Sequence, residues 1–358
     1  MTRCNVFWIV FFLLVLVLPD YSFGRTVDYC WKCHTMHNSQ GSEPIVTTTV
    51  DAQQDPQTAL LNTNCVGCHI GTNSGATVGR VTPYVLTTTG VDYGTTGTEG
   101  NTLAGGNFIW VQSFDSTGHN VVGIADEDLT HGTTPPGGSG SAQLKCAGED
   151  GCHGDRSESN EVKAIFGSHH SDSDLSITGT TIARSYRFLS GITGYEDSVY
   201  EFLPTASRHN QYKGKNRSPG DGDTDADTST ISHFCSRCHG DFHHGASTLG
   251  IADATFASPW IRHPTDFDLS DATGSEYGSY NKSVGSNAYS TTVPLASVTV
   301  TTSLSSVLGG SGTDAIVMCL SCHRAHGSQF GAILRWKFKK WPGPTGYNGC
   351  GVCHTSKD

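Results

Sequence analysis

Cys319-Leu320-Ser321-Cys322-His323 and Cys350-Gly351-Val352-Cys353-His354 stand near the end of this chain with identical spacing. Three more copies precede them: Cys30-Trp31-Lys32-Cys33-His34, Cys65-Val66-Gly67-Cys68-His69 and Cys235-Ser236-Arg237-Cys238-His239. With 13 Cys and 17 His in 358 residues, chance supplies about 0.02 such pentapeptides, so the repeat is a chemical signature. Cys-x-x-Cys-His is the attachment site of haem c. The two thiols form thioether bonds to the porphyrin vinyl groups, and the adjacent imidazole is the proximal ligand of the iron. Zinc knuckles do not need a His after every second Cys, and disulfides do not need the His at all.

A sixth site is irregular. Cys146-Ala147-Gly148-Glu149-Asp150-Gly151-Cys152-His153 has five residues between its cysteines. The vinyl groups have a fixed separation, so the longer insert is expected to bulge outward, with Gly148 and Gly151 supplying backbone freedom. The competing reading is a local disulfide between Cys146 and Cys152. Every Cys after the N-terminal segment belongs to one of six pairs that end in Cys-His, which favours six haems c.

Residues 5–19 are almost entirely apolar and follow Arg3. The run is short for a membrane span, and Ser22 and Gly24 are small residues at a cleavage position. Residues 1–24 therefore read as a secretory signal peptide, with Cys4 removed along with it, and 25–358 as a single hexahaem domain. An uncleaved anchor is the alternative. No later segment is long and apolar enough to span a membrane.

Only 36% of the chain is hydrophobic, and it contains 43 Gly. Such a composition resembles disorder. At about one haem per 56 residues, however, the flat apolar macrocycles themselves become the core, and covalent and iron bonds tie the coil down. The expected fold is mostly irregular coil with short helices and few strands, organised around a stacked chain of covalently bound haems. Short helices are expected at some haem sites and around Asn160–His170, with ordered loops at Thr87–Gly100 and Ser270–Ser290. The net charge of −11 disfavours nucleic acid as a partner. In the run Arg335-Trp336-Lys337-Phe338-Lys339-Lys340-Trp341, pairing with propionates and packing of Trp on a haem edge is preferred over an anionic docking patch.

Proximal ligation uses His34, His69, His153, His239, His323 and His354. Eleven histidines remain, while only Met36 and Met318 follow the leader, so bis-His ligation of low-spin irons is the economical answer. His37 and His326 lie three residues after a proximal His, and His243 four after another. Three residues reach about 10 Å at most, too little to pass round a porphyrin rim. Each should serve a different haem from the one it follows.

These features together resemble the outer-surface hexahaem cytochrome nanowire family. The matching segments are Cys33-His34-Thr35-Met36-His37-Asn38-Ser39, Gly105-Gly106-Asn107-Phe108 and Gly118-His119-Asn120. Tyr186-Arg187 with Gly194-Tyr195, Phe234-Cys235 through Phe242-His243, Arg262-His263-Pro264, Cys319 to His326 and terminal Cys353-His354 follow in the same order. The resemblance implies six bis-His haems stacked continuously inside a helical homopolymer. It implies that His37 ligates a neighbouring subunit's haem, the one on Cys319 and Cys322. His119, His243, His263 and His326 would be distal ligands within one subunit. Where that family has a second His three residues after the third proximal His, this chain has Arg156, and His169 or His170 is the replacement. Haem sites near both ends of the mature chain suit a head-to-tail contact that does not close into a ring.

The expected function is electron transfer, not enzyme catalysis. Other copies of the chain, redox partner cytochromes and extracellular electron acceptors are the expected partners, at the outer cell surface or in an extracellular filament. A soluble periplasmic shuttle is the alternative. A small-molecule reductase would need an iron with an open position, whereas every motif here ends in His. Asp221-Gly222-Asp223-Thr224-Asp225-Ala226-Asp227 resembles the start of a calcium loop, but it lacks Gly at the sixth position and has Ser232 at the twelfth, so a solvated acidic loop is preferred.

Overall fold

The structure is a computed structural model. It describes residues 33–34, 39–40, 43–44, 60–61, 64–75, 82–87, 101–169, 177–216, 227–243, 263, 265–272, 280, 287–307, 314–338 and 349–354. The leader, Cys30, His37, His170, the 221–226 acidic run, Lys339–Trp341 and most of the two expected loops lie outside them.

The described chain is mostly coil. Four two-stranded pairings carry its regular β-structure: Ser39–Gln40 with Glu43–Pro44, Lys145–Ala147 with Gly151–His153, Gly194–Tyr195 with Gln211–Tyr212, and Phe267–Asp268 with Ile316–Val317. No described helix is long and apolar enough to cross a membrane. Short helices occur where the sequence needs one turn and no more. Cys65–Cys68, Cys319–Cys322 and Gly349–Cys353 are helices of this kind, and Ile231–Ser236 leads into the fourth motif. In each, the proximal His N–H donates to the first Cys carbonyl: His69 to Cys65 at 2.9 Å, His239 to Cys235 at 3.1 Å, His323 to Cys319 at 3.0 Å and His354 to Cys350 at 2.8 Å. An i→i−4 bond stacks the His one turn beyond the first Cys. Asn64 Oδ1 accepts from Gly67 N at 3.1 Å and Thr230 Oγ1 from His233 N at 3.2 Å; such caps are each worth about 1 kcal/mol. A further helix, Glu161–Ala164, capped by Asn160, falls inside the expected Asn160–His170 region.

The third site solves the same spacing problem without a helix. Lys145–Ala147 and Gly151–His153 pair in parallel, Lys145 opposite Gly151 and Ala147 opposite His153, so Cys146 and Cys152 lie on adjacent strands at matching positions. Neighbouring strands are about 4.8 Å apart, close to the roughly 5 Å that separates residues three apart on a helix. The insert turns back on itself through Gly148, at φ +87°, whose N–H donates to His153 O at 3.0 Å. A Cβ at Gly148 would come within 2.5 Å of Glu158 O.

Among the described residues, three separate hydrophobic clusters stand in place of a single core. Val66, Leu86, Phe108, Val111, Val121 and Ile124 pack beside Cys146. Tyr186, Ile192, Tyr212, Ile231, Phe234, Ala296, Ile316 and Met318 pack beside Cys152. Tyr280, Leu295, Val317, Trp336 and Val352 pack beside Cys322, Cys350 and Cys353. Trp336 packs at the last motif, and Arg335 is buried with Nε donating to Leu320 O at 2.7 Å.

Candidate haem track

The cysteine pairs neighbour one another in sequence order. The Cys68 thiol lies against Cys33, and Cys146 against Cys65. Cys152 neighbours Cys238, Cys235 meets Cys319, and Cys322 lies beside Cys350 and Cys353. From the second site to the fifth, one cysteine of each pair faces the preceding site and the other the following site. Burial pushes these thiols up: Cys68 and Cys322 to about 12 and Cys152 to about 11. An apolar cavity of about 2320 Å³ runs past sites one to five and is lined by their described cysteines and proximal histidines together with His119, His169, His263 and His326. Pockets for one drug-sized ligand are about 300–1,000 Å³, so this one is built for several large groups in series.

The histidines along the track pair. Ring centres lie 6.3 Å apart for His69 and His169, 6.2 Å for His239 and His119, 6.4 Å for His153 and His326, and 6.4 Å for His354 and His263. A metal–imidazole bond of about 2.0 Å plus roughly 1.2 Å from nitrogen to ring centre puts two rings across one ion about 6.4 Å apart. Each pair joins one proximal His to one histidine from elsewhere in the chain. The residues present therefore fit haem with an iron between two imidazoles.

The tautomers agree with this reading. His34, His69, His153, His239 and His323 each have Nδ1 on a backbone carbonyl: Leu60 at 3.3 Å, Pro83 at 2.8 Å, Arg187 at 2.8 Å, Pro136 at 2.7 Å and Ala332 at 2.7 Å. His119 Nδ1 likewise meets Ala325 O at 2.8 Å. With Nδ1–H donated outward, Nε2 carries the lone pair, and such partners are typically worth about 10–100-fold in metal affinity. Burial holds His119 down to about 4 and His326 to about 3, and lowers His69, His153, His239 and His323 as well. The rings are neutral at neutral pH, as ligands must be.

Nothing in the sequence marked those carbonyl acceptors. Leu60, Arg187 and Ala332 have φ of 55°, 48° and 55°, a left-handed conformation costing about 1–2 kcal/mol for a non-glycine residue. At Arg187 the side chain holds the turn, donating to Asp197 O at 3.0 Å and Asn210 Oδ1 at 2.9 Å. This gives the Tyr186-Arg187 segment its purpose.

Two of the paired histidines come from one knot of backbone. His326 N donates to Gly105 O at 2.7 Å, His119 N to His326 O at 3.2 Å, and Asn107 N to Gly327 O at 3.0 Å. Asn107, fully buried, accepts on Oδ1 from Ile109 N and Thr87 N. The Phe108 ring lies 4.7 Å from that of His326. Gly105 admits the His326 ring, whose Nδ1 would stand 2.8 Å from a Cβ there.

His326 follows the fifth proximal His yet faces the third, so it skips a site. His169 faces His69. His243 Nε2 meets Asp266 Oδ2 at 2.8 Å, both side chains 2% exposed, and the His233 ring lies 5.9 Å from its own. His209 is engaged at both ring nitrogens by the carbonyls of Asn210 and Leu304. Met318 packs with Ile316. Of the acidic run, Asp227 pairs with Lys213 at 3.2 Å, and Ser232 lies within the Ile231–Ser236 helix.

Comparison with known proteins agrees with the chemistry. Residues 314–358 match the family model described as a doubled CXXCH motif. The chain is 28% identical over 369 residues to the C-type cytochrome OmcS of Geobacter sulfurreducens, covering 87% of this chain and 79% of that protein. Two solved structures are also similar. One is the outer membrane cytochrome S filament of the same organism, with TM-score 0.45, 24% identity and coverage of 88% and 85% of the two chains. The other is a cryo-EM structure of OmcS nanowires, with TM-score 0.43, 22% identity and coverage of 87% and 84%.

Proposed function

We propose that this chain is an OmcS-like multihaem c-type cytochrome, an electron-transfer protein that carries six haems c in sequence order and passes electrons along them within an extracellular homopolymer; its 28% identity to OmcS over 87% of the chain supports this. Haem supplies the reversible one-electron change at iron. The chain's own residues hold each macrocycle by two thiols, orient each imidazole through a carbonyl, and exclude water with three apolar clusters. The observation that carries the proposal is the ordered contact of cysteine pairs from Cys33 through Cys353.

In this reading residues 1–24 direct export. The iron ligand pairs are His69 with His169, His153 with His326, His239 with His119, and His354 with His263. His323 takes His37 of a neighbouring subunit, which closes the polymer contact. His170, next in the chain to His169, serves His34, since the first and second sites adjoin through Cys33 and Cys68. Redox partner cytochromes load the filament, and extracellular acceptors unload it.

Electron microscopy of material sheared from cells tests this. Filaments from the native chain and only discrete particles from His37→Ala are expected. Particles from both would make the protein a soluble shuttle with His37 bound in its own chain.

A further inference from the structure

A second, smaller cavity of about 380 Å³ is lined by Arg156, Ser190, Thr228, His233, Phe234 and Arg237. The guanidinium carbons of Arg156 and Arg237 lie 5.4 Å and 5.3 Å from the centre of the Phe234 ring. Both cations therefore lie against one aromatic ring at the edge of one cavity. Arg156 Nη1 is buried and makes no hydrogen bond. Among the described residues no carboxylate forms an ion pair with either arginine. The neighbouring Asp155 is turned onto Ser157, accepting from its N–H at 2.9 Å and its hydroxyl at 2.7 Å. Arg237 and Thr228 are exposed, so the cavity is open to solvent.

We propose that Arg156 and Arg237 form a binding site for a small tetrahedral oxyanion of the phosphate or sulfate class, placed where the third and fourth haem sites meet. Two guanidinium groups at one cavity present forked N–H donors that match such an anion. Burial and the adjacent Arg237 charge lower Arg156 to about 10, a repulsion that a bound anion relieves. A haem propionate is the obvious competitor, and position argues against it. Both arginines neighbour the Cys152 thiol, and Arg237 and Arg156 neighbour that of Cys238. Thiols mark the vinyl edge of a haem, and propionates leave from the opposite edge. This step rests on the haem reading of those two cysteines. The cations raise the potential of nearby irons by disfavouring the ferric charge, and a bound anion offsets them, so the midpoint potentials become sensitive to phosphate.

Calorimetric titration of the haem-loaded protein with inorganic phosphate at low ionic strength tests the site, with sulfate as a parallel arm. One phosphate per chain should bind. Loss of one charged donor, about 1.5–3 kcal/mol, predicts affinity about tenfold or more weaker in Arg156→Gln and in Arg237→Gln, with partial rescue by Arg156→Lys. Spectroelectrochemical titration should show at least one midpoint falling on phosphate addition in the native protein and none in the double variant. An unchanged Soret band and haem count in the variants separate loss of the anion from loss of haem. Absence of phosphate binding by the native protein, or equal binding by the double variant, would overturn the proposal.

Discussion

Replacing Cys146 and Cys152 together by Ser lowers the haem count of the purified chain by one and interrupts its electron path near the middle. The pair lies between the second and fourth sites, with Cys146 against Cys65 and Cys152 beside Cys238. The parallel pairing of 145–147 with 151–153 sets the two thiols side by side in the reduced chain too, so the variant folds its strands but has nothing to bond. Intact-mass spectrometry should read six haems in the native protein and five in the variant. Reduction from one end of the chain should then stall before all remaining haems respond. Six haems retained in the variant would show that this site is not one of them.

Removal of His326 has the next largest effect. The ring faces His153 at 6.4 Å and lies fully within the knot that also carries His119. In His326→Ala one iron in six loses an axial ligand, and the oxidised protein gains a high-spin signal of about that weight. Gly105→Ala approaches the same result from the backbone. Its Cβ would stand 2.8 Å from His326 Nδ1 and 2.9 Å from Cε1, an overlap costing about 1–3 kcal/mol, so a partial high-spin fraction is expected. Electron paramagnetic resonance of both oxidised variants reads this directly. A spectrum that stays wholly low-spin in His326→Ala would remove His326 from the ligand set.

The sequence made the thiols, the proximal histidines and the scarcity of methionine visible, because covalent attachment demands a local spacing. It also made the coil-rich fold visible, since a chain with 36% hydrophobic residues has little else from which to build a core. The pairing of histidines was not legible. His326 is far from His153 in the chain, and the backbone contacts among 105–108, 117–119 and 326–328 that seat His326 leave no mark in the sequence. The carbonyls that orient Nδ1 were equally hidden: any residue has one, and what selects Leu60, Arg187 and Ala332 is a left-handed turn that none of those residue types announces. The carboxylate of Asp266 beside His243 was likewise hidden in the sequence, since 23 residues separate the two. The insert at the third site was legible as a bulge, but its solution as a parallel β-pair was not, since parallel pairing over so short a connection is rare.

In the proposed arrangement the irons lie in sequence order between the histidine pairs His69–His169, His153–His326, His239–His119 and His354–His263. A cryo-EM map of the haem-loaded protein at a resolution that places iron and imidazole tests it most directly. The account predicts one iron between the members of each pair, and haems following one another from Cys30–Cys33 to Cys350–Cys353. An iron ligated by His243 in place of His169, or a haem order that departs from the chain order, would contradict it.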